Sequence, residues 1–117
     1  MDEKAKRRDS YLRTTWGVTL EEYDKVLQAQ GGGCVGCGRP GVTRSLHVEH
    51  DHRTMLLRAI ACASCNSALQ KVRDRPEVLR NLADMLEDPP FTRVLGREQK
   101  ALRPPKKRRR KRRVVKR

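Results

Sequence analysis

Residues 34–66 read CVGCGRPGVTRSLHVEHDHRTMLLRAIACASCN and contain every cysteine and every histidine of the chain. The cysteines form two Cys-x-x-Cys pairs, Cys34/Cys37 and Cys62/Cys65, with 24 residues between the pairs. Two residues between ligands let a tight turn aim both sulfurs at one tetrahedral ion, and two such turns complete a four-cysteine shell. The spacing therefore predicts one structural Zn²⁺ that fastens the two ends of this stretch together.

Two disulfides are the main alternative use of these cysteines, and a redox-active pair is another. Disulfides are typical of secreted proteins, whereas the N-terminus Met1-Asp2-Glu3-Lys4 lacks the apolar run of a signal peptide. A redox site would need a single Cys-x-x-Cys pair. No stretch approaches the roughly 20 apolar residues of a membrane span. The sequence thus favours zinc and predicts a cytoplasmic protein with no membrane partner.

Hydrophobic patterning predicts a small α+β domain around this stretch. Within it we expect strands over 46–49 and 55–60, joined by a polar segment, and then a helix over 63–73. Upstream we expect a helix over 3–15 and a second one that begins after Thr19 and ends at the glycines 31–33. Thr19 followed three residues later by Glu22 is typical of a capping box. Downstream, a helix is expected from Pro76 to Asp88, and no element is assigned to 91–102.

These elements define four predicted segments. They are N-terminal helices (1–33), a zinc-bound core (34–73), a C-terminal helical segment (74–102) and a basic tail (103–117). The tail contains 11 basic residues and no acid, and the whole chain has a net charge of +14. Such a segment cannot pack a core and is expected to be disordered. A polyanion partner follows from the charge, and DNA-backbone contact is favoured over a nuclear localisation signal.

The histidines form a second cluster between the cysteine pairs, in His47-Val48-Glu49-His50-Asp51-His52, and Asn66 follows the last cysteine. Phosphodiester hydrolysis requires a divalent cation on the phosphate and a base with a pKa near neutrality. Carboxylate and amide oxygens are suitable ligands for Mg²⁺, and neutral imidazole is a suitable base. The cluster therefore carries the side chains that a metal-dependent nuclease needs.

The order of these motifs resembles the phage recombination endonuclease VII family of HNH (ββα-metal, His-Me finger) nucleases. The resemblance extends from about Tyr11 to Leu86 and includes the segment Gly-Val-Thr-Leu-Glu-Glu-Tyr at 17–23. It implies a zinc-stapled ββα-metal domain with flanking helices. It also implies cleavage of branched DNA, such as Holliday junctions formed in phage DNA recombination, within the cytoplasm of a bacterial host.

The resemblance also implies roles for particular residues. His50 would be the general base, Glu49 and Asn66 would bind the catalytic Mg²⁺ or Mn²⁺, and His52 would assist at the phosphate or metal site. The four cysteines would hold the structural zinc. The family commonly has Asp where this chain has Glu49, whose extra methylene moves the carboxylate by roughly 1.5 Å. His47 and Asp51 receive no role.

Other interpretations remain open at this point. One is an HNH nicking endonuclease without a preference for branches, and another is a non-catalytic zinc DNA-binding protein. A homodimer is a further hypothesis, in which an apolar stripe on the helix after Pro76 contacts a second copy of the chain. The alternative is that this stripe covers the zinc core of its own chain. The residues of the stripe are Val78, Leu79, Leu82, Met85 and Leu86. Three arginines that flank the histidine cluster are candidate phosphate contacts: Arg44, Arg53 and Arg58.

Overall fold

The computed structural model of the chain describes residues 1–41 and 46–103. In chain order the elements are α1 (Glu3–Trp16), α2 (Leu20–Ala29), β1 (His47–His50), β2 (Leu57–Ala61), α3 (Ala63–Lys71), α4 (Pro76–Glu87) and α5 (Pro90–Leu95). The α+β prediction is confirmed, and β1, β2 and α3 follow one another as expected of a ββα unit. Arg44 and the tail from 104 onward lie outside the described residues, so the structure does not test the predicted disorder of the tail.

The chain divides into two compact units, Met1–Pro76 and Glu77–Arg117. The first contains α1, α2, the strands and α3, and the second contains α5 and nearly all of α4. No helix in the described part of the chain is long and apolar enough to cross a lipid bilayer.

The two N-terminal helices are bounded by the side chains that the sequence indicates. Thr19 accepts a hydrogen bond from the Glu22 amide at 3.0 Å, and the Glu22 carboxylate accepts one from the Thr19 amide at 2.9 Å. The capping box is therefore confirmed. Gly17 ends α1 in the left-handed region, with φ of 72°. Beside it, Asp9 accepts from the Leu20 amide at 2.8 Å and thus ties α1 to the start of α2.

Both strands begin later than predicted, and β2 does so because the loop before it extends to residue 56. β1 covers 47–50 rather than 46–49, and β2 covers 57–61 rather than 55–60. Asp51 organises the loop, since its carboxylate accepts from the amides of Arg53 and Thr54 at 2.8 and 3.1 Å. Met55 then adopts a left-handed φ of 64°. The turn therefore takes up residues whose apolar side chains had indicated a strand.

β1 and β2 pair antiparallel, with one irregularity close to the histidine cluster. Glu49 lies opposite Ala59, but the next residue, His50, lies opposite Leu57. Arg58 is thus left without a partner and forms a β-bulge, a distortion that re-aims a side chain. The bulge is the reason why the Arg58 side chain reaches Glu49.

The core of the first unit lies where α1, α2 and the hairpin meet. Leu12 and Ala61 are fully buried, and Ile60 is nearly so. The Tyr23 hydroxyl donates a hydrogen bond to the Leu46 carbonyl oxygen at 2.8 Å. Gln30, just after α2, donates to the Ile60 carbonyl and accepts from the Ile60 amide, both at 2.8 Å. The Gln30 side chain thus satisfies the backbone amide and carbonyl of Ile60 in β2, as a neighbouring strand would.

Candidate functional site

The four cysteines form a cluster suited to one metal ion. One ligand atom from each lies within 4.8 Å of the others, and all four thiols are free. The two-disulfide alternative is therefore wrong for this structure. The Cys37 and Cys62 sulfurs are 3.8 Å apart, which is about the spacing of two sulfurs bound tetrahedrally at roughly 2.3 Å from zinc. The donor set and its geometry fit the predicted structural zinc.

Backbone amides point at the sulfurs and prepare them for a cation. Cys34 accepts from the amides of Gly36 and Cys62 at 3.4 and 3.2 Å. Burial raises the pKa of the Cys34 thiol, but these amides and that of Cys37 outweigh burial and bring the pKa to about 6. Burial raises the pKa of the Cys65 thiol to about 12, with the neighbouring sulfurs adding to the effect. Because adjacent thiolates repel one another, ionisation of the whole set requires a cation.

Gly36 is required by this close packing. A Cβ at that position would lie 3.0 Å from the Cys65 sulfur. A side chain there would push against a zinc ligand, which explains why glycine stands between the first two cysteines. The same reasoning applies to Gly33, where a Cβ would lie 2.2 Å from the carbonyl oxygen of Gly38.

A pocket of about 400 Å³ contains three of the four predicted catalytic residues: His50, His52 and Asn66. The backbone amide of Asn66 donates a hydrogen bond to the Cys62 carbonyl oxygen at 2.9 Å in the first turn of α3. Since Cys62 caps that helix and belongs to the metal cluster, the cluster holds Asn66 at the pocket. This is the structural link between the cysteines and the histidines.

The histidine rings are held by contacts with one another and with their neighbours. The ring of His50 lies 4.9 Å from that of Trp16 and 4.6 Å from that of His52, measured between centroids. Nε2 of His52 lies 3.3 Å from Nε2 of Gln70 on α3. These contacts hold the His50 ring in a defined position, and they involve no carboxylate.

Glu49, the fourth predicted residue, is not among the residues that line this pocket. Its side chain is 3% exposed, and both carboxylate oxygens accept hydrogen bonds from Arg58, one of them from Nε at 2.8 Å. Arg58 also donates to Asp74 at 3.1 Å. The hydrogen bond to Glu49 is the largest cause of a raised pKa of Arg58; burial opposes it, and Asp74 adds to it. The guanidinium is therefore a fixed positive charge held between Glu49 and Asp74.

This pairing bears on the roles of both residues. Arg58 is a candidate phosphate contact from the sequence, and in the structure its guanidinium binds Glu49 and Asp74. As a carboxylate has about four lone-pair sites, the two that Arg58 engages leave Glu49 with capacity for a cation. Glu49 and Asn66 have the oxygen donors that Mg²⁺ prefers, but of the two only Asn66 lines the pocket.

A sequence model of the recombination endonuclease VII family matches residues 9–88 of the chain, which cover all these site residues. The chain belongs to this family. The span agrees with the resemblance from about Tyr11 to Leu86.

Two phage proteins are similar to the chain. The Gene 59 protein of Mycobacterium phage D29 is 38% identical over 90 residues, which cover 75% of this chain and 54% of that protein. The Gene 59 protein of Mycobacterium phage L5 is 34% identical over 90 residues, which cover 75% of this chain and 55% of that protein. The chain thus spans about half the length of these relatives. No solved structure matches it.

The sequence did not indicate that α1 forms a wall of the histidine pocket. Arg8, Tyr11 and Trp16 line the pocket together with the predicted histidines. A helix of charged residues is ordinarily a solvated face, so the pattern of α1 gives no signal of this role. His47 also lines the pocket, whereas Asp51 serves the loop, as described above.

Proposed function

We propose that this protein is a metal-dependent DNA endonuclease of the HNH type, with the pocket between α1, β1 and α3 as its active site. The observation that carries the proposal is the grouping of His50, His52 and Asn66 in one pocket, with Asn66 directly after the last cysteine of the metal cluster. Membership of the recombination endonuclease VII family supports a nuclease acting on DNA.

His50 is the proposed general base. Its ring contacts those of Trp16 and His52, and these contacts limit the rotational freedom that is lost when a substrate binds. Neutral imidazole accepts a proton near physiological pH. It takes the proton of a water molecule whose oxygen bonds to phosphorus while the bond from phosphorus to the leaving oxygen breaks.

Glu49 and Asn66 would hold the catalytic cation, Mg²⁺ or Mn²⁺. When bound, the cation would offset negative charge on the phosphate and on the leaving oxygen. Asn66 is positioned for this by the first turn of α3, and Glu49 by the guanidinium of Arg58. His52, which contacts both His50 and Gln70, would donate to a phosphate oxygen.

The proposed substrate is branched DNA, as implied by the family, and the proposed place of action is the cytoplasm of a bacterial host. Resolution of a four-way junction needs two cuts on opposing strands, which a two-fold homodimer supplies most simply. Leu82, Met85 and Leu86 on α4 are 46%, 41% and 74% exposed, so an apolar face is accessible for such a contact. A nicking endonuclease without branch preference is the second candidate.

Plasmid nicking tests the enzymatic proposal. Zinc-loaded protein is incubated with supercoiled plasmid in Mg²⁺, in Mn²⁺ and without a divalent cation. We expect nicked circles with either cation and none without. If plasmid is bound but remains supercoiled in every condition, the protein is a non-catalytic zinc DNA-binding protein.

Comparison of a synthetic four-way junction with the matched linear duplex tests the substrate. We expect the junction to be cut faster, and the protein to sediment as a dimer at micromolar concentration. Leu82→Asp should then lose paired cuts before it loses single nicks. A monomer that cuts both substrates equally would exclude junction resolution and leave the nicking endonuclease.

A further inference from the structure

The pocket that holds His50 and His52 has an unusual charge distribution. None of the described residues on its walls is acidic, whereas Arg8 and all three histidines face it. The two carboxylates next to His50 in sequence are engaged elsewhere, Glu49 by Arg58 and Asp51 by the backbone amides of Arg53 and Thr54. A concave site with a guanidinium, imidazoles and no carboxylate is suited to an anion. Its volume of about 400 Å³ is within the roughly 300–1,000 Å³ of ordinary ligand pockets.

Arg8 is the strongest positive charge in this pocket, and its own environment leaves the charge available. Within the described ranges, Arg8 has no ion pair, whereas Arg13 on the same helix binds Asp9 at 2.8 Å. The Arg8 guanidinium carbon lies 4.9 Å from the ring centroid of Tyr23 and 5.8 Å from that of Tyr11. Aromatic rings hold a guanidinium by cation–π attraction without neutralising it.

We propose that Arg8 binds a phosphate of the DNA strand in the catalytic pocket, so that α1 is part of the substrate-binding surface. This inference rests on the proposed nuclease function and adds the group that grips the substrate. A guanidinium presents a planar fork of donors that matches two phosphate oxygens. Because Arg8 is half-buried on a helix that is packed into the core through Leu12, the fork is positioned before the substrate arrives.

Trp16 supplies a direct readout of the pocket. It is the single tryptophan of the chain, it lines the same pocket as Arg8, and its ring contacts that of His50. Its fluorescence therefore reports on an anion that enters the pocket, without any need for cleavage. The titration uses zinc-loaded full-length protein, first with inorganic phosphate and then with thymidine 3′,5′-bisphosphate. Ionic strength is held constant with chloride, and no Mg²⁺ or Mn²⁺ is added.

Arg8→Gln is compared with Arg7→Gln, which removes the same charge from the same helix. Arg7 is exposed and lies outside the pocket, and its Nε donates a hydrogen bond to the Glu3 carbonyl oxygen at 3.4 Å. We expect saturable fluorescence changes with both probes in wild type, binding at least tenfold weaker in Arg8→Gln, and binding within twofold of wild type in Arg7→Gln. Arg8→Lys should be intermediate, because an ammonium keeps the charge but lacks the planar fork. Zinc content and circular dichroism check that each variant folds.

Three results would overturn the proposal: no fluorescence change with phosphate in wild type, equal weakening in Arg8→Gln and Arg7→Gln, or unchanged binding in Arg8→Gln. The plasmid assay runs in parallel and separates this proposal from the proposed function. If wild type nicks DNA and Arg8→Gln still binds phosphate normally, only the role of Arg8 is wrong. If wild type does not nick DNA but Arg8→Gln loses phosphate binding, the anion site stands and the nuclease proposal fails.

Discussion

Arg58 and Glu49 form the most buried ion pair among the described residues. Arg58 is one-third exposed, but the Glu49 side chain is 3% exposed, and the guanidinium engages both of its oxygens. Breaking such a pair by removal of one partner leaves a buried charge without compensation. Removal of either residue alone should therefore destabilise the hairpin, whereas removal of both should cost much less.

Arg58→Ala should lower the free energy of unfolding by about 3 kcal/mol, the lower end of the range for buried pairs because the guanidinium is partly in water. Urea denaturation of zinc-loaded protein measures the change. Arg53→Ala is the control, since Arg53 is exposed and serves the loop through its backbone amide. Replacement of both partners, as in Glu49→Met with Arg58→Met, should recover most of the loss. A single variant as stable as wild type would contradict the account.

At the scale of residues, the sequence predicts that the four cysteines form one group, and the structure confirms that one ion can bind them. The sequence also points to three residues that line one pocket, His50, His52 and Asn66. Asn66 is adjacent to the metal-cluster residue Cys65, and the two histidines are only two residues apart. The sequence does not predict that Arg58 binds Glu49, because a β-bulge that re-aims a side chain leaves no mark in residue type or periodicity.

At the scale of elements, the sequence predicts helices better than strands. Caps are local signals, so the beginning of α2 was found at Thr19. β2 begins two residues later than predicted because Asp51 and Met55 fix a loop that includes residues with strand-like hydrophobicity. The place of α1 against the hairpin could not be predicted from its charged surface, since it depends on tertiary packing around Leu12.

Thr19→Ala tests how much the capping box contributes. The variant should lose about 1 kcal/mol of unfolding free energy, because the amide of Glu22 loses its acceptor at the N-terminus of α2. Thr15→Ala, an exposed position within α1, is the matched control and should change stability by less than about 0.5 kcal/mol. Equal effects of the two substitutions would show that the cap does not matter.

At the scale of the whole molecule, the buried core of the described residues is small. It consists of seven apolar residues, and two of them are the metal-cluster cysteines Cys34 and Cys62. A core of this size rarely holds a domain together without a further constraint. Metal binding then contributes directly to folding.

Purified protein should therefore contain about one zinc per chain, and chelation should unfold the first unit. Cys65→Ser should behave similarly. Elemental analysis gives the stoichiometry, and far-ultraviolet circular dichroism follows the loss of helix. Readdition of Zn²⁺, but not of Mg²⁺, should restore the signal, since thiolates prefer the softer ion. Folded protein that contains no zinc would contradict this part of the account.

At this scale, the proposed activity depends on His50 as the general base of a metal-dependent nuclease. The most direct test is the single-turnover rate of plasmid nicking in Mg²⁺ by wild type and by His50→Ala, with DNA binding measured alongside. Loss of a general base typically costs about 10²–10⁴-fold in rate. We expect a loss of at least a hundredfold, with DNA affinity and zinc content unchanged, because the base acts on water rather than on the duplex. Nicking by His50→Ala at the wild-type rate would show that His50 is not the general base.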